Sequence, residues 1–268
     1  MMFLQGKRLV LNRPMAEKAY TIGSRAVASC VESQPISSVI GQLLEGYRKL
    51  PVTGSSGKLV GMVTISDILS YLGAGEKRRF FRRLNAPVRI IMESPVFIGK
   101  GTGTEKCIRL FQKHGRGSYP VVENGRLCGI VSEWDVAKNI SGKTGLKVGD
   151  IMSSRPLKIG PDTNILDASK AMVGCFRRLP VVDSGRLLGI LTPSDVLRHL
   201  HRNGHEQLKT GKIKAKDIME KRVVVVRPST SVGRLLAAMK NRGIGGFPVR
   251  ENKKLVGMVT ERDLVEHL

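Results

Sequence analysis

Four pairs of side chains set the chemistry open to this chain. Thr64 and Asp67, Ser132 and Asp135, Thr192 and Asp195, and Thr260 and Asp263 each place a hydroxyl three residues ahead of a carboxylate. A helix that starts at such a step presents free backbone N–H groups and the positive end of its dipole, which suits a phosphate. The hydroxyl adds a hydrogen bond to that anion, and a carboxylate one turn in can accept from both hydroxyls of a ribose. The same residue types also cap helices for stability alone, so a lone copy is better read as a cap.

The elements that must position these pairs repeat with them. Leu50-Pro51-Val52, Tyr119-Pro120-Val121-Val122, Leu179-Pro180-Val181-Val182 and Phe247-Pro248-Val249 each open a short β-type run. Turn residues follow: Gly54-Ser55-Ser56-Gly57, Glu123-Asn124-Gly125, Asp183-Ser184-Gly185 and Glu251-Asn252-Lys253. A second apolar run through Gly61, Gly129, Gly189 or Gly257 then enters the hydroxyl–carboxylate step. Upstream of the Pro lies an amphipathic segment such as Ile165 to Val173, apolar at helical spacing. Each unit is helix, strand, strand, helix, and the class is α/β. The closing aspartates are 68, 60 and 68 residues apart, so the second half repeats the first at an offset of 128. The 268 residues are two copies of a pair.

These units resemble CBS domains, tandem modules that bind adenosine-containing ligands. The likeness rests on the P-V-hydrophobic, hairpin, G-h-h-[ST]-x-x-D string and on the lead-ins Asp150-Ile151-Met152, Asp217-Ile218-Met219 and Ile90-Ile91-Met92. It covers about residues 26–268. Repeat 1 departs from it, with no Ile-Met between Thr21 and Val31. The resemblance implies four CBS repeats arranged as two CBS-pair (Bateman) modules, a layout similar to the gamma subunit of AMP-activated kinase. The expected division is a basic N-terminal segment (1–25), pair 1 over 26–140 and pair 2 over 148–268. Within the pairs, repeats fall at about 26–72, 88–140, 148–200 and 215–268, with basic connectors at 73–87 and 201–214.

In that family the Ser/Thr contacts phosphate, the Asp grips ribose, and a basic residue before the Pro often meets phosphates. The resemblance therefore implies an adenine nucleotide (AMP, ADP or ATP) or another adenosyl ligand, bound with the four hydroxyl–aspartate pairs. Arg48, Lys49, Arg116, Arg177 and Arg178 are the candidate phosphate contacts. Repeat 4 has Gly245-Gly246 at this place, which suits an uncharged adenosyl ligand or an empty site equally. Four registered copies within such a family turn the balance from capping toward ligand binding in at least one pocket.

Lys and Arg number 45 against 22 Asp and Glu, a net charge of +23. Such a surplus repels itself unless it meets a polyanion. The N-terminal 25 residues carry +4, residues 73–92 carry +5 and residues 201–216 carry +4. The candidate nucleic-acid contacts are Lys7, Arg8, Lys77, Arg78, Arg79, Arg82, Arg83, Arg202, Lys209, Lys212, Lys214 and Lys216. Aromatic content is 4%, too low for extensive base stacking, and favours phosphate contacts to structured RNA. Ribosomal RNA and ribosomal proteins are the expected partners of a nucleotide-responsive translation-silencing factor. A sensor acting on a protein partner and a DNA-associated transcriptional regulator are the alternatives, and the layout is compatible with a homodimer.

No nucleophile–base set, Walker string or metal-ligand spacing accompanies the five histidines, so neither catalysis nor a metal is expected. Cys30, Cys107, Cys128 and Cys175 form no C-x-x-C pair and read as reduced core residues. No apolar run approaches the length of a membrane span. A cytoplasmic protein is expected.

Overall fold

The computed structural model describes residues 9–11, 17–73, 80–174, 176–203 and 212–268. Repeat 1 comprises α1 (Ala19–Ile22), β1 (Cys30–Val31), α2 (Ile36–Leu44), β2 (Lys49–Thr53), β3 (Leu59–Thr64) and α3 (Ile65–Gly73). A connector helix, α4 (Phe80–Leu84), and a 3-10 turn (Val88–Ile90) lead into repeat 2. Repeat 2 is β4 (Ile98–Gly99), α5 (Thr104–His114), β5 (Ser118–Glu123), β6 (Arg126–Ser132) and α6 (Glu133–Ala137). Repeat 3 is α7 (Val148–Ile151), α8 (Ile165–Gly174), β7 (Leu179–Asp183), β8 (Arg186–Leu191) and α9 (Pro193–Asn203). Repeat 4 is α10 (Ala215–Ile218), α11 (Val232–Arg242), β9 (Gly246–Glu251), β10 (Lys254–Thr260) and α12 (Glu261–Glu266).

Local sequence accounts for these elements. In α2, Ile36, Val39, Ile40 and Leu43 recur at i, i+3, i+4 and i+7, and all four are buried. The hairpins of repeats 2, 3 and 4 turn on residue pairs with positive φ, namely Asn124-Gly125, Ser184-Gly185 and Asn252-Lys253. Those mirror-image turns match the twist of the strands they join. The extended lead-in runs parallel to the first hairpin strand, as β1 on β2 and β4 on β5. In repeats 3 and 4 it shrinks to single parallel bridges, Ile159 to Val181 and Val226 to Val249.

Repeats join in pairs through their sheets. The second half forms a four-stranded sheet in the order β7-β8-β10-β9. In the first half β3 and β6 meet at the same edge through the Lys58–Arg126 bridge. Exchanged lead-ins tie each pair together. Met92 of repeat 2 covers Gly61 of repeat 1, Met219 of repeat 4 covers Gly189 of repeat 3, and Met152 of repeat 3 covers Gly257 of repeat 4. A Cβ on those glycines would lie 2.5, 2.5 and 2.8 Å from the respective sulfurs, which is why the strand keeps glycine there. The missing Ile-Met of repeat 1 is resolved by Ile22-Gly23-Ser24. Gly23 sits against the Ile130 carbonyl, Ser24 bridges Ile130, and the Tyr20 ring closes over Gly129 in place of a methionine.

The two modules then pack through helices. One core unites repeats 1 and 3, with Leu43, Ile68 and Leu72 in the same cluster as Ile165, Leu197 and Leu200. Repeats 2 and 4 share the others: Ala137 and Ile140 lie in a cluster with Val232 and Leu264, and Val265 lies in a cluster with Phe111 and Val136. Helix α3 packs on α9, and α6 packs on α12. These are the four helices that begin at the hydroxyl–aspartate steps.

Candidate functional site

Each hydroxyl–aspartate step closes on itself in one geometry. The Oδ2 of Asp67 accepts from the Thr64 backbone N–H at 2.7 Å and from its hydroxyl at 2.8 Å. Asp135 does the same with Ser132 at 2.8 and 2.6 Å, Asp195 with Thr192 at 2.9 and 2.6 Å, and Asp263 with Thr260 at 2.6 and 2.6 Å. The capping role is therefore realised in all four copies. The second carboxylate oxygen distinguishes them. Asp135 Oδ1 accepts from Lys138 at 2.6 Å and Asp195 Oδ1 from Arg198 at 3.1 Å, each from the next helical turn. No such cation stands one turn on in repeats 1 and 4, where Ser70 and Glu266 follow. Burial raises the carboxyls of both Asp67 and Asp263, opposed by their Thr hydrogen bonds.

Across the hairpin mouth each hydroxyl faces a different residue. Lys49 is in register with Thr64, Ser118 with Ser132 and Gly246 with Thr260. Arg178 holds the equivalent place one residue ahead of β7. Repeats 1 and 3 thus put a cation beside a helix-capping hydroxyl. Repeat 2 puts a second hydroxyl there, and in repeat 4 Gly246 leaves room for the Arg178 guanidinium of repeat 3, whose carbon lies 3.3 Å from where a Cβ would stand.

These mouths converge on one charged cluster to which all four repeats contribute. Arg48 Nη1 of repeat 1 lies 3.9 Å from Glu261 Oε2 of repeat 4. Arg262 of repeat 4 reaches repeat 2, donating to Glu133 Oε1 from Nη2 at 3.0 Å and from Nε at 3.1 Å, and to the Gly115 carbonyl. Arg116 lies 3.8 Å from Glu93 at the exposed rim. Arg177 of repeat 3 lies where a side chain on Gly117 of repeat 2 would stand, and Gly245 leaves the corresponding room for Glu261.

The titration of these groups reflects burial first and neighbouring charges second. Burial, then the nearby Arg177, lowers the Lys49 ammonium from 10.5 to about 7. Burial and then Arg48 lower Arg178 to about 10, and Arg177 is lowered mainly by burial. Burial raises Glu133 and Glu261, opposed first by Arg262 and Arg48 respectively. Arg48 and Arg177 nevertheless remain exposed. An incoming anion can therefore meet Arg48 and Arg177 at the surface of the cluster without displacing a packed side chain.

The structure gathers the sequence candidates Arg48, Lys49, Arg116, Arg177 and Arg178 into this one cluster. Glu133, Glu261, Arg262 and Ser118 are members that sequence reasoning did not single out. A signal was present, since both even repeats carry Glu directly after the hydroxyl where the odd ones carry Ile65 and Pro193. Among the nucleic-acid candidates, Lys214 and Lys216 both pair with Asp162, at 2.9 and 2.8 Å. Arg83 donates to the Tyr71 carbonyl at 2.5 Å and stacks on its ring. Arg82, Arg202 and Lys212 are exposed. Lys7, Arg8, Lys77, Arg78, Arg79 and Lys209 lie outside the described residues, as does Cys175. Among the described residues no cluster of three metal-ligating side chains occurs, and no helix is long and apolar enough to cross a membrane.

Four helix–strand–strand–helix repeats, paired by sheet edges and exchanged lead-ins, define a protein of two tandem CBS pairs. The CBS domain description matches residues 19–74, 88–142, 148–202 and 215–268, and the chain belongs to the CBS domain family. It is similar to protein MJ1225 of Methanocaldococcus jannaschii, 29% identical over 244 residues, 82% of this chain and 87% of that one. The crystal structure of MJ1225, a proposed archaeal homolog of g-AMPK, aligns with a TM-score of 0.85 over 93% of this chain and 99% of that one, at 25% identity. The 33.4 kDa protein in the ribosomal RNA operon of Thermofilum pendens is 31% identical over 241 residues, 82% of this chain and 80% of that one.

Proposed function

We propose that this protein binds an adenosine-type ligand, sets its phosphates against the central cluster, and passes the ligand's state on to a macromolecular partner. One observation carries the proposal. In repeats 1 and 3 a cation, Lys49 or Arg178, stands beside the hydroxyl that caps a helix, and both cations lie within Coulomb reach of Arg177. Phosphate needs that combination of charge, hydroxyl and oriented N–H groups. AMP, ADP and ATP are the ligands this chemistry suits. Gly246 supplies no charge of its own opposite Thr260, and the Arg178 guanidinium lies against it, so repeats 3 and 4 share that cation. The similarity to MJ1225, itself a proposed homolog of g-AMPK, supports a regulatory sensor. Calorimetric titration of the full chain with AMP, ADP, ATP and adenosine tests the proposal. Binding that weakens at least tenfold in both Lys49→Met and Arg178→Met supports it, and no heat with any of the four ligands overturns it.

The charge outside the cluster supports a second reading for the partner. The net +23 far exceeds what six central cations supply, and Arg82, Arg202 and Lys212 are exposed on or beside the two connectors. We read these as phosphate contacts to structured RNA, with the ribosome as the expected target and binding steeply weakened by salt. Co-sedimentation with ribosomes at low salt should be lost when Arg78, Arg79, Arg82 and Arg83 are replaced by Ala. Unchanged sedimentation would sink this reading and leave a protein partner.

A further inference from the structure

We propose that Glu133 and Glu261 set how much negative charge the central cluster accepts, so that they discriminate among phosphorylated ligands by their number of charges. The inference rests on the ligand reading above but concerns a property no hydroxyl–aspartate step supplies. Both glutamates occupy the same motif place in the even repeats, directly after the capping hydroxyl. Each lies across a module boundary from an arginine: Glu133 takes Arg262 at 3.0 Å, and Glu261 lies 3.9 Å from Arg48. They therefore hold, as resident anions, guanidinium groups that a phosphate would otherwise engage.

Glycine makes the position of Glu261 possible. Any side chain on Gly245 would overlap the Glu261 carboxylate, whereas the equivalent Gly117 of repeat 2 makes room for Arg177. A second, separate observation concerns a neighbouring hydroxyl. Ser118 is only 7% exposed, and its hydroxyl has no hydrogen-bond partner. It faces Ser132 as Lys49 faces Thr64, so the cluster contains a buried hydroxyl able to donate to a bound anion.

The physical consequence is graded. A carboxylate within a few ångströms of a bound phosphate repels each added negative charge, in a setting where that repulsion is far stronger than in water. An uncharged adenosyl ligand feels none of it. Glu133 and Glu261 thus narrow the advantage that the cations would otherwise give ATP over AMP.

The test compares the full wild-type chain with Glu261→Gln and with Glu133→Gln/Glu261→Gln by calorimetry at fixed ionic strength. The probes are adenosine, AMP, ATP, inorganic phosphate and inorganic tripolyphosphate. Glu261→Gln is the milder variant, because its ion pair is long and its arginine partner is half exposed, and thermal melting checks its fold. Removing the carboxylate should leave adenosine unchanged and tighten each anion by about tenfold per negative charge. Tripolyphosphate that tightens while every adenine ligand fails to bind supports the inference and overturns the ligand reading. Nucleotides that bind but gain equally with adenosine, or not at all, overturn the inference and leave the ligand reading standing. No anion binding in any of the three proteins overturns both.

Discussion

The guanidinium of Arg262, in repeat 4, meets the carboxylate of Glu133, in repeat 2, at 3.0 Å, and the Glu133 side chain is only 6% exposed. This pair joins the two modules at the same point where the hydroxyl-capped helices converge. The proposed ligand site is consequently part of the inter-module interface, beside the apolar helix contacts.

Breaking that pair from one side leaves a buried carboxylate without its partner. Arg262→Met should lower stability by about 2 kcal/mol, at the modest end for such losses because the guanidinium is partly solvated. Adding Glu133→Gln should recover most of the loss. Chemical denaturation of the single and double variants measures both, and an unaltered midpoint for Arg262→Met would refute the contact's role.

Lys49 gives the protein a pH signature. The unfolded lysine titrates near 10.5 and the folded one near 7, so between those values the unfolded chain binds the extra proton. Its contribution to stability therefore rises with pH across that window and is least below pH 7. Melting temperatures taken from pH 7 to 10 should climb more steeply in the wild type than in Lys49→Met. A bound phosphate would favour the charged ammonium, so ligand binding at pH 7.5 should take up protons, seen as a dependence of the heat on buffer ionisation enthalpy.

The exchanged lead-ins should be sensitive to single methyl groups. A Cβ on Gly23 would lie 2.5 Å from the Ile130 carbonyl oxygen, and one on Gly189 would lie 2.8 Å from the Glu220 carbonyl oxygen. Neither backbone can yield cheaply, so Gly23→Ala and Gly189→Ala should each cost about 2 kcal/mol. Gly41, inside α2, has nothing within 4 Å of its added methyl. Gly41→Ala should instead stabilise by about 0.5–1 kcal/mol through helix propensity. Thermal melts of the three variants decide the order.

The four aspartates should separate into two classes. Asp135 and Asp195 spend their second oxygen on Lys138 and Arg198, whereas Ser70 and Glu266 hold that place after Asp67 and Asp263. Each Asp→Ala should cost about 1 kcal/mol from the lost cap. Loss of adenosine-ligand affinity should be larger for Asp67→Ala and Asp263→Ala. Equal losses at all four positions would show that the cations one turn on do not guard the aspartates.

Much of this protein was legible in order along the chain. Turn residues, strand glycines and the hydroxyl–aspartate step all act over a few residues, so repetition at an offset of 128 was enough to give four α/β units and their pairing. The same locality made Arg48, Lys49, Arg177 and Arg178 visible as basic pairs ahead of each odd-repeat proline.

What lay outside that reach depends on contacts between distant residues. That Gly23 takes the methionine place while Tyr20 covers Gly129 follows from the shape of repeat 2, more than 100 residues away. That Glu133 answers Arg262, and that Gly117 makes way for Arg177, required the two modules to be set face to face. By itself the sequence determined which groups can meet a phosphate. Only the tertiary structure decided which charges they meet first, because burial and the Coulomb interaction act on distance in space and take no account of distance along the chain.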